Sequence, residues 1–193
     1  IPVGDDPHQL VVDAAGRYLY VTNLGTHTVS VVDLESGTEE RVLHAGMAPF
    51  GAAIGRDGHT VYVSHQYSLP VPFRTPPVLE LTAIDTRERY VRERRELHSA
   101  VIGQGIAVSP DGAFVATVME FPKNLIPETQ VYQGWMVTYG VALTETRRRG
   151  RSAYLLIDEP NLYFADPYGV AFTPDGRYLL LSSSGADQVT IVD

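Results

Sequence analysis

Cysteine is absent from the 193 residues, and lysine occurs only at Lys123. Without cysteine the chain cannot form disulfides, thiolate metal sites or the Cys-x-x-Cys-His attachment of a c-type haem. No apolar run reaches about 18 residues, so we expect no membrane span. The 15 basic and 23 acidic side chains give a net charge of −8. This acidity argues against nucleic acid as a partner, because phosphate binding needs a basic surface.

Turn residues, by contrast, are plentiful, with 17 glycines and 13 prolines. A tight turn ending in glycine recurs four times, at Gly16, Gly58, Gly112 and Gly176. Each turn separates two short β-branched and aromatic runs, which predicts a hairpin. A third run follows and ends in aspartate in three repeats, at Asp33, Asp85 and Asp193. We expect these carboxylates to accept hydrogen bonds from turn amides.

A fourth run completes a repeating unit of four strands, named a to d here. The turn glycines are 42, 54 and 64 residues apart, and four-stranded units repeated at about 40–50 residues are typical of a β-propeller. We therefore predict an all-β fold of four-stranded antiparallel blades, about four in number, as part of a ring of about seven blades. A β-sandwich is the alternative, but it does not predict the same turn in every unit.

The repeat phase also predicts the blade boundaries. The four blades are expected at about residues 7–46, 49–101, 104–165 and 167–193, with residues 1–4 as the end of a preceding outer strand. We expect the chain to be an excerpt of a larger propeller, because an open arc of blades exposes strand edges. Alternatively, residues 1–4 complete the last blade and close a small four-bladed ring.

The segment around Tyr20-Val21-Thr22-Asn23 resembles the YVTN family of propeller repeats. Two further segments, Pro72–Thr86 and Pro127–Leu143, resemble parts of bacterial propeller proteins that continue into a c-type cytochrome domain. The resemblance implies an exported protein, periplasmic or at the cell surface. It places c-type haem in a longer parent or a partner chain, with further blades or a haem domain as partners, and no cofactor within this segment.

Two long, proline-rich loops interrupt the repeat between strands b and c, at residues 66–78 and 120–134. Both would emerge on one face of a propeller, called the insertion face here. Long loops in compact folds are commonly functional, so a protein partner is expected there. The aromatic anchors would be Phe73, Phe121, Tyr132 and Trp135. Alternatively, the loops only cover the propeller rim.

The same face should carry the start of each strand a and the end of each strand b. Aligned repeats place His8, Phe50, Gln104 and Tyr168 near the channel mouth, and Asn23, His65, Met119 and Ser183 at the strand b ends. The candidate binding residues are His8, His65, Met119, Glu120, Trp135, Asp166 and Tyr168. Histidine and methionine can ligate haem iron, and histidine with carboxylates can bind metals. Alternatively, His65 bonds a loop carbonyl and Met119 packs in the core.

The one basic cluster, 147–151, falls in the hairpin between strands c and d, on the opposite face. It is either a solvated turn or an attraction site for an acidic partner.

The sequence favours a non-catalytic scaffold or docking segment of an exported bacterial protein associated with a c-type haem redox domain. One alternative is a propeller enzyme with a hydrolytic or metal site built from His8, His65 and Asp166. The other is a cell-surface interaction module. Fold resemblance alone does not decide among them.

Overall fold

The computed structural model describes residues 1–122, 136–158 and 164–193, which form strands, turns and loops without a helix. The strands make four antiparallel sheets, in each of which neighbours follow chain order. Sheet I contains β1 (Pro7–Val12), β2 (Tyr18–Asn23), β3 (Thr28–Asp33) and β4 (Thr38–His44). Sheet II contains β5 (Pro49–Ile54), β6 (Thr60–His65), β7 (Val78–Asp85) and β8 (Tyr90–His98). Sheet III contains β9 (Ile102–Val108), β10 (Phe114–Pro122), β11 (Val137–Glu145) and β12 (Ser152–Leu156). Sheet IV contains β13 (Pro167–Phe172), β14 (Leu179–Ser183) and β15 (Gln188–Val192).

The repeated turn joins strands a and b in every sheet. All four turn glycines have a positive φ, between 68° and 75°, which glycine adopts without the steric cost of a Cβ. The glycine N–H donates to the carbonyl three residues earlier, as in Gly58 to Gly55 at 2.9 Å and Gly112 to Ser109 at 2.8 Å. Each hairpin is therefore closed by its own sequence before the sheets pack together.

The hydrophobic core consists of three layers, each between two successive sheets. Tyr20 and Val31 of sheet I pack with Val61 of sheet II. The next layer joins sheets II and III, and the third joins sheets III and IV. The middle strand β6 is buried along its whole length, because neighbouring sheets cover both of its faces. The first strands of successive sheets also contact one another, so strand a is innermost.

These features confirm the predicted fold, a β-propeller segment built from four-stranded antiparallel blades. The number of blades in a complete ring stays a prediction. Among the described residues, none belongs to a helix with the length and apolarity needed to cross a bilayer.

A β-bulge lies near the start of each inner strand and brings adjacent blades together. In sheet II the register shifts between Pro49 and Ala52, which removes the Gly51 N–H from the regular ladder. That N–H donates to the Ser64 hydroxyl at 3.0 Å. The Ser64 hydroxyl then donates to the Gln104 carbonyl on the inner strand of sheet III at 2.5 Å. One hydroxyl therefore fixes the bulge and joins two blades.

The same arrangement joins sheets I and II through Thr22. Its hydroxyl accepts from the Gln9 N–H at 3.0 Å and donates to the Phe50 carbonyl at 2.8 Å. In sheet III the equivalent residue is Val118, which has no hydroxyl. At this junction the inner strands of sheets III and IV approach each other closely instead. A Cβ added to Gly105 would lie only 2.2 Å from the Tyr168 carbonyl oxygen. We call the hydroxyls of Thr22 and Ser64 the blade clasps.

The structure changes some predicted element boundaries. The apolar runs before the turns begin at residues 9, 51, 105 and 169. The inner strands begin two or three residues earlier, because the bulge allows the preceding proline or glycine to pair. The second long loop begins after Pro122, since Glu120 pairs with Tyr139 in β10–β11. Residues 1–4 have irregular backbone, and their assignment as the end of a preceding outer strand stays a prediction.

Replacing Ser64 by alanine should destabilise the fold. The change leaves the buried Gly51 N–H and Gln104 carbonyl without their shared partner, which costs about 1–3 kcal/mol. Ser182→Ala is the matched control, because the exposed Ser182 hydroxyl accepts from the Gly169 N–H alone. Chemical denaturation of the natural protein should show a larger loss of unfolding free energy for Ser64→Ala than for Ser182→Ala. Equal losses would contradict the role assigned to the clasp.

Candidate functional site at the channel mouth

Three of the four predicted channel-mouth residues form a cluster of rings. The His8 and Phe50 ring centroids are 3.7 Å apart with planes tilted by 30°, and Tyr168 meets Phe50 edge-on at 5.8 Å. Phe50 is buried, whereas His8 is exposed and Tyr168 is 46% exposed. The fourth residue, Gln104, has a buried side-chain oxygen without a hydrogen-bond partner among the described residues. The alignment of repeats therefore identified side chains that converge from three blades.

Asp166 occupies a repeated corner before the inner strand. Its φ is 48°, and the equivalent residues Asp6 and Ala48 have φ values of 51° and 45°. The Asp166 carbonyl accepts from the Ser184 N–H at 3.0 Å, just as Ala48 accepts from Gln66 at 2.8 Å. Aspartate tolerates this left-handed conformation better than most residues do. The corner geometry accounts for the aspartate without a ligand.

His65 lies at the end of β6 and is 1% exposed. Its Nδ1 is 3.0 Å from the Met47 carbonyl oxygen, and its Nε2 is 2.9 Å from the Thr82 hydroxyl. The Thr82 hydroxyl is also 2.6 Å from the Ala45 carbonyl oxygen. Both ring nitrogens therefore contact protein groups of the adjoining loop and strand.

The protonation of His65 determines the direction of this network. A carbonyl only accepts, so Nδ1 carries the proton shared with Met47. In the neutral ring Nε2 only accepts, so Nε2 and the Ala45 carbonyl oxygen, 2.9 Å and 2.6 Å from the Thr82 hydroxyl, compete for its single proton. In the charged ring Nε2 donates, and Thr82 donates to Ala45. Burial lowers the pKa of His65 to about 4, so the neutral arrangement is the one present near neutral pH.

His65 should make the protein less stable in mild acid. Its folded-state pKa of about 4 lies below the ordinary value of 6.5, so between these values the unfolded chain binds more protons than the native chain. The free energy of unfolding should consequently fall as pH is lowered from 6.5 towards 4, by about 1.4 kcal/mol for each unit of pKa difference once titration is complete. Denaturation across this range should show a smaller pH slope for His65→Gln than for the natural protein. The control is an NMR titration of the His65 ring, in which a pKa at or above 6.5 would contradict the assignment.

Met119 and Glu120 are adjacent in β10 but have different surroundings. Met119 is 1% exposed and packs with Leu79 and Leu97 in the core between sheets II and III. Glu120 is half-buried, and its pKa is raised by burial and then by the nearby Asp166 charge. Glu120 and Asp166 are thus near enough for their charges to interact.

These residues do not supply an evident metal or haem site. Among residues 1–122, 136–158 and 164–193, no three histidine or acidic side chains are grouped so that they could hold a metal. Met119 is enclosed by apolar side chains, and both His65 nitrogens are engaged in hydrogen bonds. Any haem iron would therefore need to displace established packing in order to use them.

Among the residues that the structure describes, the first long loop presents the most exposed aromatic side chain near this face. Phe73 is 90% exposed, and the Arg74 guanidinium lies 5.4 Å from its ring centroid. Phe121, also predicted as an anchor, instead meets Tyr154 edge-on at 5.8 Å. Tyr132 and Trp135 lie outside the described residues.

The sequence reasoning missed the blade clasps. Their signal was a hydroxyl residue six positions after a turn glycine, as at Thr22, Ser64 and Ser182. Valine at position 118 interrupts that pattern. The hydroxyls could have been recognised from the same alignment that located the channel mouth.

No model of a known protein family matches the chain. Over 110 residues the chain is 34% identical to hydrazine synthase subunit beta of Kuenenia stuttgartiensis, and the match covers 57% of this chain and 28% of that protein. The chain therefore corresponds to a minor part of that relative's length.

Solved structures give a wider match. Kuenenia stuttgartiensis hydrazine synthase superposes with a TM-score of 0.62 at 27% identity, covering 97% of this chain and 64% of that one. A putative 6-phosphogluconolactonase from Bacteroides uniformis gives 0.65 at 13% identity, with coverages of 96% and 49%. The periplasmic gluconolactonase of Pseudomonas aeruginosa gives 0.62 at 17%, also with 96% and 49%. The last two support the fold alone. The chain is thus a propeller segment similar in sequence and structure to hydrazine synthase.

Proposed function

We propose that this chain is a propeller scaffold in a multi-subunit redox enzyme related to hydrazine synthase. The observation that carries the proposal is the 34% identity to a beta subunit over 110 residues, since that protein is named as one subunit of an assembly. The superposition with hydrazine synthase over 97% of the chain supports it. The YVTN-like segment lies in β2, a middle strand of sheet I, which agrees with a repeat of that type.

The scaffold would act by holding a partner domain or subunit in a fixed position. Three core layers and the blade clasps hold the sheets in a fixed stack. The loops of the insertion face extend from one end of the strands in this stack. The exposed apolar side chains of this face include Phe73, Tyr67 at 50% and Met136 at 64% exposure. Aromatic side chains are enriched among the residues that dominate protein interfaces. We infer that a neighbouring subunit or domain carrying c-type haem docks here.

The positions of three candidate binding residues support a structural contribution from this segment. His65 is enclosed, Met119 is in the core, and Asp166 forms a corner. We propose that the chemistry of the assembly belongs to the docked domain or subunit, with the propeller orienting it.

Truncating Phe73 should weaken docking without affecting the fold. Phe73→Ala removes a ring that is 90% exposed, and loss of an aromatic anchor commonly weakens binding about tenfold or more. Tyr90→Ala is the control, because Tyr90 is 46% exposed on the outer strand β8. Size-exclusion chromatography of the natural complex, monitored by visible haem absorption, should show haem separating from the Phe73→Ala variant only.

Two results would contradict this proposal. One is a natural preparation without haem absorption in any associated chain or domain, which would favour an interaction module without a redox role. The other is equal retention of the haem-bearing partner by both variants, which would remove the docking role of Phe73.

We also propose a periplasmic or cell-surface location, which rests on the resemblance to exported propeller proteins. Fractionation of the source cells should recover the protein with periplasmic or surface markers. Recovery with cytoplasmic markers would overturn this location.

A further inference from the structure

A cavity of about 470 Å³ opens between sheets II and III on the face of the a-to-b turns, called the turn face here. Four arginines line it, and we call this group the arginine cleft: Arg56, Arg92, Arg147 and Arg148. We propose that the arginine cleft binds a small polyanion whose charges are carried by phosphate or carboxylate oxygens. The site is separate from the insertion face and does not depend on the docking proposed there.

The charge of the cleft is opposite to that of the chain. The four arginines face two aspartates, Asp57 and Asp111, which gives the lining a formal excess of positive charge. The whole chain carries −8 with 15 basic residues. Concentrating four of these in one cavity creates a local positive potential that attracts anions.

Both aspartates are engaged within their own turns. Asp57 accepts from the backbone N–H groups of His59 and Thr60 and from the Thr60 hydroxyl. Asp111 accepts from the Ser109 hydroxyl at 2.5 Å and from the Ala113 N–H at 2.9 Å. Both oxygens of Asp57 and the Oδ1 atom of Asp111 therefore accept hydrogen bonds from their own turns.

Three of the arginines form no ion pair with a described residue. Arg56 donates to the Pro110 carbonyl, and Arg92 donates to the Thr60 hydroxyl at 3.3 Å. The Arg148 side chain makes no hydrogen bond or ion pair with the described part of the chain, while Arg147 pairs with Glu145 at 2.8 Å. Exposed guanidinium groups of this kind retain donors for a ligand.

The wall that carries Arg147 and Arg148 is fixed to sheet II. The Arg95 guanidinium donates to the Glu145 carbonyl, and also to the Arg147 carbonyl at 2.6 Å. Glu93 accepts from the Arg149 N–H at 3.2 Å. Because these contacts hold the c-to-d turn of sheet III against β8, the cleft is positioned before any ligand arrives, which reduces the entropy lost on binding.

The chemistry of the lining selects the ligand class. A guanidinium group presents a planar set of donors that matches two oxygens of a phosphate or carboxylate. Several such groups around one cavity favour an anion with more than one charge. The volume of 470 Å³ lies within the range of small-molecule sites.

Calorimetric titration of the natural protein with pyrophosphate and, separately, with citrate at low salt tests the proposal. At least one probe should bind saturably with one site per chain, and the probe that binds more tightly identifies phosphate or carboxylate as the preferred source. Arg148→Gln should weaken binding severalfold, and Arg56→Gln combined with Arg148→Gln should weaken it about tenfold or more. Arg177→Gln is the control, since this exposed arginine lies in the equivalent turn of sheet IV.

These outcomes distinguish a specific anion site in the arginine cleft from non-specific attraction of anions by the charge of the protein. Retained affinity in Arg177→Gln with loss in the other variants supports the cleft. Absence of saturable binding by both probes at millimolar concentration overturns the proposal. Equal weakening by Arg177→Gln also overturns it, because the effect would then belong to overall charge. Unchanged far-ultraviolet circular dichroism in all variants confirms that affinity, and not folding, has changed.

Discussion

The close approach of neighbouring inner strands is the constraint on which the rest of the structure depends. A bulge removes one backbone N–H from each inner ladder, and a buried unpaired N–H is costly. The hydroxyls of Thr22 and Ser64 accept from that N–H and donate to the next blade. At two of the three blade junctions, a single side chain thereby satisfies a local defect and joins the blades, and at the third the backbones approach each other directly. The three core layers and the convergence of rings at the channel mouth both require this close approach.

Much of the fold was predictable because its signals are local. The four turns depend on glycine at positive φ, a property of individual residues, and their spacing revealed the repeating unit. Asp33 and Asp85 also behave as predicted, since each accepts from turn amides after its strand. The alignment of repeats then located His8, Phe50 and Tyr168, whose rings meet in space.

Features that depend on tertiary pairing were not predictable in the same way. The inner strands extend through their bulges because a partner strand is present, which no propensity of Pro49 or Gly103 would indicate. Met119 and His65 have equivalent positions in the repeat, but burial decides what they can do. Along β10, Val118 points to one core layer and Met119 to the other. The alignment identified which residues end strand b, whereas the surrounding sheets determine whether the side chain at that position can reach a ligand.

The contacts between successive a-to-b turns have a consequence for how such a protein can diversify. In the first three turns, the second residue faces the turn glycine of the next blade: Ala14 faces Gly58, Arg56 faces Gly112 and Pro110 faces Gly176. The turn glycine adopts the positive φ that the turn requires. The residue that faces it therefore affects only the surface of the turn. Alanine, arginine and proline all occupy this place while the hairpins keep the same hydrogen bonds. Each blade thus carries one position at which the charge and shape of the turn face can change independently of the framework beneath it.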